Sequence, residues 1–124
     1  MIDLSIIILS FNTKELLREC LLSIKNQMPQ AINYEIIVVD NASSDGSKEL
    51  VEKEFPSETL IANRKNVGYS AGNNQGVKKT KGRYVLFLNA DTVVYRGTLE
   101  AMVSFMDEHK KAGAATCWVQ LPTG

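Results

Sequence analysis

Three places in this 124-residue chain gather residue types able to handle a charged, hydroxyl-rich ligand. The first is Asp40, a carboxylate that follows Ile36-Ile37-Val38-Val39 and opens the turn-rich stretch Asp40-Asn41-Ala42-Ser43-Ser44-Asp45-Gly46. An acceptor at the end of a buried strand can take hydrogen bonds from a base N–H or from ribose hydroxyls. The same carboxylate can instead bond the backbone N–H groups of Ala42 or Ser43 in its own turn, as Asp does for local reasons. Both readings stay open. The second place is Asn89-Ala90-Asp91, directly after the apolar run Tyr84–Leu88. A divalent cation held by a carboxylate can bridge the phosphates of a nucleoside diphosphate. Asp91 offers the anionic oxygen and Asn89 a neutral one. The local alternative is an Asx-type turn that closes the strand.

The third place is the segment from Asn63 to Gly76, with Arg64, Lys65, Asn74 and glycines at 68, 72 and 76. Gly72 and Gly76 share one helix face and would let another backbone or a ligand approach closely. Each costs a helix about 1 kcal/mol relative to Ala, so packing or a ligand should explain them. Arg64 and Lys65 could offer charge to phosphates, although solvent exposure is the commoner fate of such a pair. Neither G-x-G-x-x-G nor G-x-x-x-x-G-K-[ST] is present. His109 is the sole histidine and falls beside Lys110 and Lys111 at a helix end, so a Ser-His-Asp or Cys-His device has no visible base.

These residues need elements to hold them. Leu4 to Leu9 reads as a buried parallel strand, followed by capping side chains in Ser10-Phe11-Asn12-Thr13. Leu16, Leu17, Cys20, Leu21 and Ile24 form the apolar face of a helix that Met28-Pro29 ends. A second strand covers Glu35–Val39, a short helix carries Leu50 and Val51, and a third strand covers Thr59–Ala62. Ser70–Lys79 reads as helical. Tyr84–Leu88 is the fourth and most hydrophobic strand, Thr98 caps a helix with Leu99, Met102, Val103 and Met106, and Ala114–Val119 is a fifth strand. Strands alternating with helices imply an α/β fold with a mostly parallel sheet and helices on both faces. Ligands of such sheets bind at the carboxyl ends of the strands, which selects Ser10–Asn12, Asp40–Gly46 and Asn89–Thr92.

Composition narrows the partners. Lys+Arg and Asp+Glu are both 14, giving a formal charge of zero, so no nucleic-acid partner is expected. Lys78, Lys79, Lys81 and Arg83 read as the solvated end of a helix. Cys20 and Cys117 lack a C-x-x-C spacing and a nearby His, so no zinc site is spelled out. Both sit in apolar patterns, where a thiol acts as a small hydrophobe, in keeping with a reducing cytoplasm. The start Met1-Ile2-Asp3-Leu4 is wrong for a secretory signal, and the Ile6–Leu9 run is too short to span a bilayer. A single soluble, cytoplasmic domain over residues 1–124 is expected.

Together, Ser10-Phe11-Asn12, Val38-Val39-Asp40-Asn41-Ala42-Ser43-Ser44-Asp45-Gly46-Ser47, Asn66-Val67-Gly68-Tyr69-Ser70-Ala71-Gly72-Asn73-Asn74-Gln75-Gly76 and Leu86-Phe87-Leu88-Asn89-Ala90-Asp91 resemble the family 2 glycosyltransferases, in the family's order and spacing. The resemblance implies a GT-A, Rossmann-like fold, here truncated, and inverting transfer of a sugar from a UDP- or dTDP-linked donor to an acceptor hydroxyl in bacterial polysaccharide or cell-wall glycan synthesis. It places Ser10 and Asp40 on the base and ribose. Asn12, Asn41, Gly68, Asn74 and Asn89 join the nucleotide-sugar site, and Asp91 becomes the ligand of Mg²⁺ or Mn²⁺. Asn89 stands where the family's D-x-D motif has its first acid, which weakens metal binding and looks most like a rhamnosyltransferase-like branch. The resemblance also implies a glycan or lipid-linked acceptor, a peripheral position at the inner face of the membrane for the full-length protein, and a catalytic base beyond Gly124, so that this piece binds donor without transferring sugar. An apolar edge left by truncation offers a surface for a dimer. Two rivals are an NAD-dependent oxidoreductase, whose Gly-rich turn after the first strand is missing here, and a non-catalytic binding module on a degenerate transferase fold.

Overall fold

A run of β-branched residues between polar ends has no exposed face to spare, so Leu4–Ser10 forms a strand buried on both sides, with Ile6, Ile7 and Ile8 fully inaccessible. The computed structural model describes residues 1–27 and 31–122. In chain order these hold β1 (Leu4–Ser10), α1 (Lys14–Gln27), β2 (Tyr34–Asp40), α2 (Ser47–Glu54), β3 (Thr59–Ala62), α3 (Tyr69–Val77), β4 (Tyr84–Asn89) and α4 (Thr98–Glu108). The strands lie in the order β3-β2-β1-β4, and every pairing is parallel. Strand order reverses at β1, which therefore sits beside the crevice where ligands of such sheets bind.

The two-residue period of the strands sorts the core into two layers. Leu4, Ile6, Ile8, Ile36 and Val38 face α1, α2 and α4, meeting Leu17, Cys20, Leu21, Ile24, Leu50, Val51, Leu99 and Val103. Burying each large aliphatic side chain here contributes about 1.5–3 kcal/mol relative to leaving it in water. Ile7, Ile37 and Val39 face the other way, under α3. The helix glycines explain that packing. A Cβ on Gly72 would come within 2.5 Å of Leu9 Cδ1, and one on Gly76 within 2.7 Å of Ile7 Cγ2. Their reason is close helix–strand contact, and the α/β architecture with helices on both faces is as expected.

Several details differ from expectation. Leu16 is 46% exposed, because the face that meets the sheet runs through Leu17, Cys20, Leu21 and Ile24. The ending of α1 at Met28-Pro29 lies outside the described residues. Gly97, at φ +83°, precedes α4 where Thr98 was expected to cap it, and Thr98 becomes the first helical residue. Although β4 is the most hydrophobic run, it is an edge strand with alternate residues exposed, Phe87 at 51%. On that face α3 covers β1 and β2, which leaves Val85 and Phe87 without a helix above them. The segment Ala114–Val119 makes no strand ladder, and Cys117 is exposed rather than packed. A strand needs a paired neighbour to satisfy its N–H and C=O groups, and no described strand pairs with these residues.

Of the basic cluster, Lys78, Lys79 and Lys81 are exposed as expected, while Arg83 pairs with Asp3 at 3.0 Å and Asp107 at 2.9 Å. No helix among the described residues is long and apolar enough to cross a membrane.

Candidate functional site

The carboxyl ends of β2, β1 and β4 bring Asp40, Ser10 and Asn89 side by side, since Ser10 is the register partner of Asp40 and Leu9 that of Asn89. Two strand spacings separate the Asp40 and Asn89 backbones by about 10 Å. Each turn is then built by its own chemistry.

Asp40 is 2% exposed. Its Oδ2 accepts from Ser43 N at 3.0 Å and its Oδ1 from Ser43 Oγ at 2.6 Å. The local reading of this residue is therefore realised: the carboxylate organises its own turn. A carboxylate has about four lone-pair sites, so these two bonds leave acceptor capacity. Asn12 closes the loop from the β1 side. At φ +52°, it accepts at Oδ1 from Ser44 N at 2.8 Å, while its own N–H donates to Ser43 Oγ at 2.9 Å. The hydroxyls of Ser10 and Thr13 share a hydrogen bond of 3.1 Å.

Asp45, passed over in the sequence beyond its place in a turn, ties two helices to this loop. Its Oδ2 accepts from Lys14 N at 2.9 Å, and its Oδ1 accepts from Ser47 N at 3.0 Å and Ser47 Oγ at 2.5 Å. The first N–H groups of α1 and α2 have no partner inside their helices, and one carboxylate serves both. Partial burial pushes the Asp45 carboxyl up, but the bonds from Ser47 and Lys14 outweigh it and hold the group below the usual carboxylate range.

Asn41, one residue past β2, lies under α3, where its Nδ2 and Leu9 both stand beside Gly72, and is also 2% exposed. Its side chain is directed inward. Oδ1 accepts from Asn63 Nδ2 at 3.0 Å and Val67 N at 3.4 Å, and Nδ2 donates to Gly68 O at 3.1 Å. That placement differs from the expected ligand contact. Gly68 precedes α3 with φ +88° and open space where a Cβ would stand. Asn74 is exposed within α3, and its side chain bonds none of the other candidates among the described residues.

The Asn89-Ala90-Asp91 turn is held through its backbone. Asn89 O accepts from Thr92 N at 3.2 Å and Thr92 Oγ1 at 2.7 Å, with no side-chain Asx bond. From below, Cys20 Sγ lies 3.8 Å from Asn89 O, and Val94 N donates to Ser23 Oγ at 3.0 Å. Burial pushes the Cys20 thiol up to about 11, with the nearby Asp91 charge adding to the effect. The Asn89 and Asp91 side chains are exposed and have no hydrogen-bond partner among the described residues. No group of three or more His, Cys, Asp or Glu gathers as a metal site among them. Asp91 is thus one hard oxygen donor. That fits a cation which takes its remaining ligands from phosphate and water, as Mg²⁺ commonly does.

Phe11, 49% exposed between Ser10 and Asn12, and Tyr69, 61% exposed beside Gly68, stand at the same end of the sheet. Their signal in the sequence was an aromatic residue just outside a buried element. Arg64 and Lys65 are exposed. His109 is exposed at the end of α4, stacked on Phe105. One surface groove runs over Val51, Phe55 and Leu60 and reaches Ala62, the register partner of Asp40, while another lies between α4 and residues 112–118.

Residues 5–121 match the family model described as glycosyl transferase family 2. The minor teichoic acid biosynthesis protein GgaB of Bacillus subtilis is 38% identical over 87% of this chain and 12% of its own length. The S. aureus TarS 1–349 structure in complex with UDP-GlcNAc superposes with a TM-score of 0.76 at 28% identity, over 88% of this chain and 32% of that one. The mannosyltransferase PcManGT of Pyrobaculum calidifontis, in complex with GDP-Man and Mn²⁺, gives 0.77 at 26%, over 84% and 32%. The chain spans a third or less of each of these proteins.

Proposed function

The chain belongs to glycosyl transferase family 2, and from that premise we propose that its strand ends bind a UDP- or dTDP-linked sugar for transfer to an acceptor hydroxyl in cell-wall or other polysaccharide synthesis. The observation that carries this reading is the pair of turns about 10 Å apart, two strand spacings: a carboxylate held within its own turn at Asp40 and an unengaged one at Asp91. Asp40 and Ser10 face the base and ribose, and Asp91 faces the diphosphate. TarS in its UDP-GlcNAc complex supports the nucleotide, and PcManGT with GDP-Man and Mn²⁺ supports a divalent cation.

The chemistry is in-line displacement. The acceptor oxygen forms a bond to the anomeric carbon from the face opposite the leaving group, the bond from that carbon to the diphosphate oxygen breaks, and configuration inverts. The acceptor proton passes to a carboxylate base, proposed to lie beyond Gly124, so that this polypeptide binds donor without turnover. A cation bound with the donor would neutralise the departing diphosphate, and Asp91, with Asn89 as a neutral partner, would hold it. The placement in a rhamnosyltransferase-like branch rests on Asn89 alone.

Calorimetric titration with UDP, dTDP, GDP and NADH, each with and without Mn²⁺ or Mg²⁺, tests the reading. We expect UDP or dTDP to bind, more tightly with metal, and Asp40→Ala to abolish the binding. A ligand at 100 times its Kd adds about 2.7 kcal/mol of apparent stability, readily seen as a thermal shift. Binding of NADH with no response to any nucleoside diphosphate would overturn it in favour of an oxidoreductase. Sugar transfer by this polypeptide alone would refute the assignment of the base.

A further inference from the structure

One buried amide gathers much of the candidate site. Asn41 takes three hydrogen bonds through its side chain, to Asn63, Val67 and Gly68, and its own N–H donates to Ser10 O at 2.9 Å. It therefore links the end of β1, the end of β2, the loop after β3 and the start of α3. Asn63 extends the network. Its N–H donates to Asp40 O at 2.9 Å, and its amide pairs reciprocally with Gln75 on α3 at 2.8 and 3.0 Å. Gly68 O, which accepts from Asn41, also accepts from Gly72 N at 3.2 Å in the first turn of α3.

The geometry has a consequence. Asp40 and Gly68 belong to different elements, and sheet pairing does not set their separation, since β3 ends at Ala62. The Asn41 amide spans that gap. Its three amide hydrogen bonds are directional, so they fix both distance and orientation, which apolar packing alone would not. Asn41 is buried and both its amide oxygen and its amide nitrogen are bonded, which favours one arrangement, whereas losing a partner would leave a costly orphan.

We infer that Asn41 is the positioning residue of the nucleotide site. It touches no ligand itself and sets the spacing between the Asp40 turn and the loop that leads into α3 at Gly68, with Asn63 and Gln75 as its brace. This rests on the donor-binding reading proposed above. It gives Asn41 a different part from that of a nucleotide contact.

The test compares three variants of the chain with the unmodified protein. Asn41→Ala removes the hub. Gln75→Ala removes the brace from α3 without touching the strand ends. Ser5→Ala is the control: this buried serine bonds Glu35, Lys81 N and Gly82 N at the far end of β1, so it perturbs a comparable network remote from the site. Binding of UDP with Mn²⁺ is read by calorimetry well below each Tm, where a loss of global stability alone leaves Kd unmoved. Amide exchange at Val67 and Gly72 is read without ligand.

Asn41→Ala should raise the UDP Kd about tenfold, the equivalent of one lost buried hydrogen bond, and accelerate exchange at Val67 and Gly72. Gln75→Ala should move both in the same direction by less, and it decides the matter if Asn41→Ala does not fold. Ser5→Ala should lower Tm and leave Kd and those two amides unchanged. An unchanged Kd in folded Asn41→Ala, or an equal rise in Ser5→Ala, overturns the role of Asn41 while the donor reading stands. Absence of UDP, dTDP and GDP binding by the unmodified protein overturns the donor reading, and the role of Asn41 with it.

Discussion

Two turns at the same end of one sheet, Asp40–Gly46 and Asn89–Thr92, are built on opposite plans. In the first, side chains carry the structure: Asp40, Asn12 and Asp45 each spend their oxygens on backbone N–H groups and serine hydroxyls. In the second, backbone atoms hold the turn from Thr92 and from α1 beneath it, and the Asn89 and Asp91 side chains are left exposed. The first turn is preorganised around a buried Asp40 and Asn41, and the second presents charge without an internal partner. A nucleoside diphosphate asks for both: a shaped, rigid contact for base and ribose, and an uncommitted anionic oxygen for a cation. The difference also says where stability and function separate. On the proposed reading they coincide at Asp40 and come apart at Asp91.

That division can be broken by experiment. The largest effect belongs to Asp40→Ala, which removes two bonds to a buried charged acceptor and should cost about 2–3 kcal/mol in urea denaturation as well as abolishing UDP binding. A cost well under 1 kcal/mol would mean that the turn does not depend on Asp40. Asp91→Ala comes next. Its folding stability should stay within about 0.5 kcal/mol of the unmodified protein, while the gain in UDP affinity on adding Mn²⁺, about tenfold or ~1.4 kcal/mol, disappears. Substantial destabilisation here would show that the second turn is structural too.

Asn89→Asp sharpens the same contrast from the other side. Adding a second exposed carboxylate should tighten Mn²⁺ binding in the presence of UDP by about fivefold, or ~1 kcal/mol, with little change in Tm. A fall in Mn²⁺ affinity would show that the neutral amide is the better ligand. The smallest effect is a pH dependence. Asp45 in the first turn has its carboxyl held below the ordinary 3.8, as do Asp3 and Asp107 through their bonds with Asn33 and Arg83. A depressed folded-state value means that these groups stabilise the fold above the ordinary carboxylate range and that the contribution is lost as pH falls through the depressed values. Tm should therefore be flat above pH ~4 and decline below it, and Asp45→Asn should make the decline shallower. A decline of unchanged steepness would remove Asp45 from the account.

Much of the scaffold was legible from local pattern. The alternation of β-branched runs with helical periods yields four of the observed strands, and the strand ends are where the candidate residues lie. Gly72 and Gly76 were readable as a close-approach face, and the structure supplies Leu9 and Ile7 as the reason. What misled was mostly a partner far away in the chain. Ala114–Val119 has strand-like residues without a strand to pair with. The β4 run is apolar enough for full burial, yet its exposure depends on how far α3 reaches. Lys14 begins a helix near three capping side chains and is capped instead by Asp45, 31 residues on.

The sequence by itself determined the four strands, the helices between them, their parallel sense and the three loops that meet at one end of the sheet, because strand and helix periods are written in neighbouring residues. It left Asp40 and Asn41 undivided, two polar residues in one turn. Only the tertiary structure told them apart. Asp40 ends β2 and meets Ser43 in its own loop, while Asn41, one residue past the strand and under α3, meets Asn63 and Gly68, 22 and 27 residues away. Which hydrogen bonds a side chain makes depends on what the fold carries within about 3 Å of it, and that is a property of the packed chain.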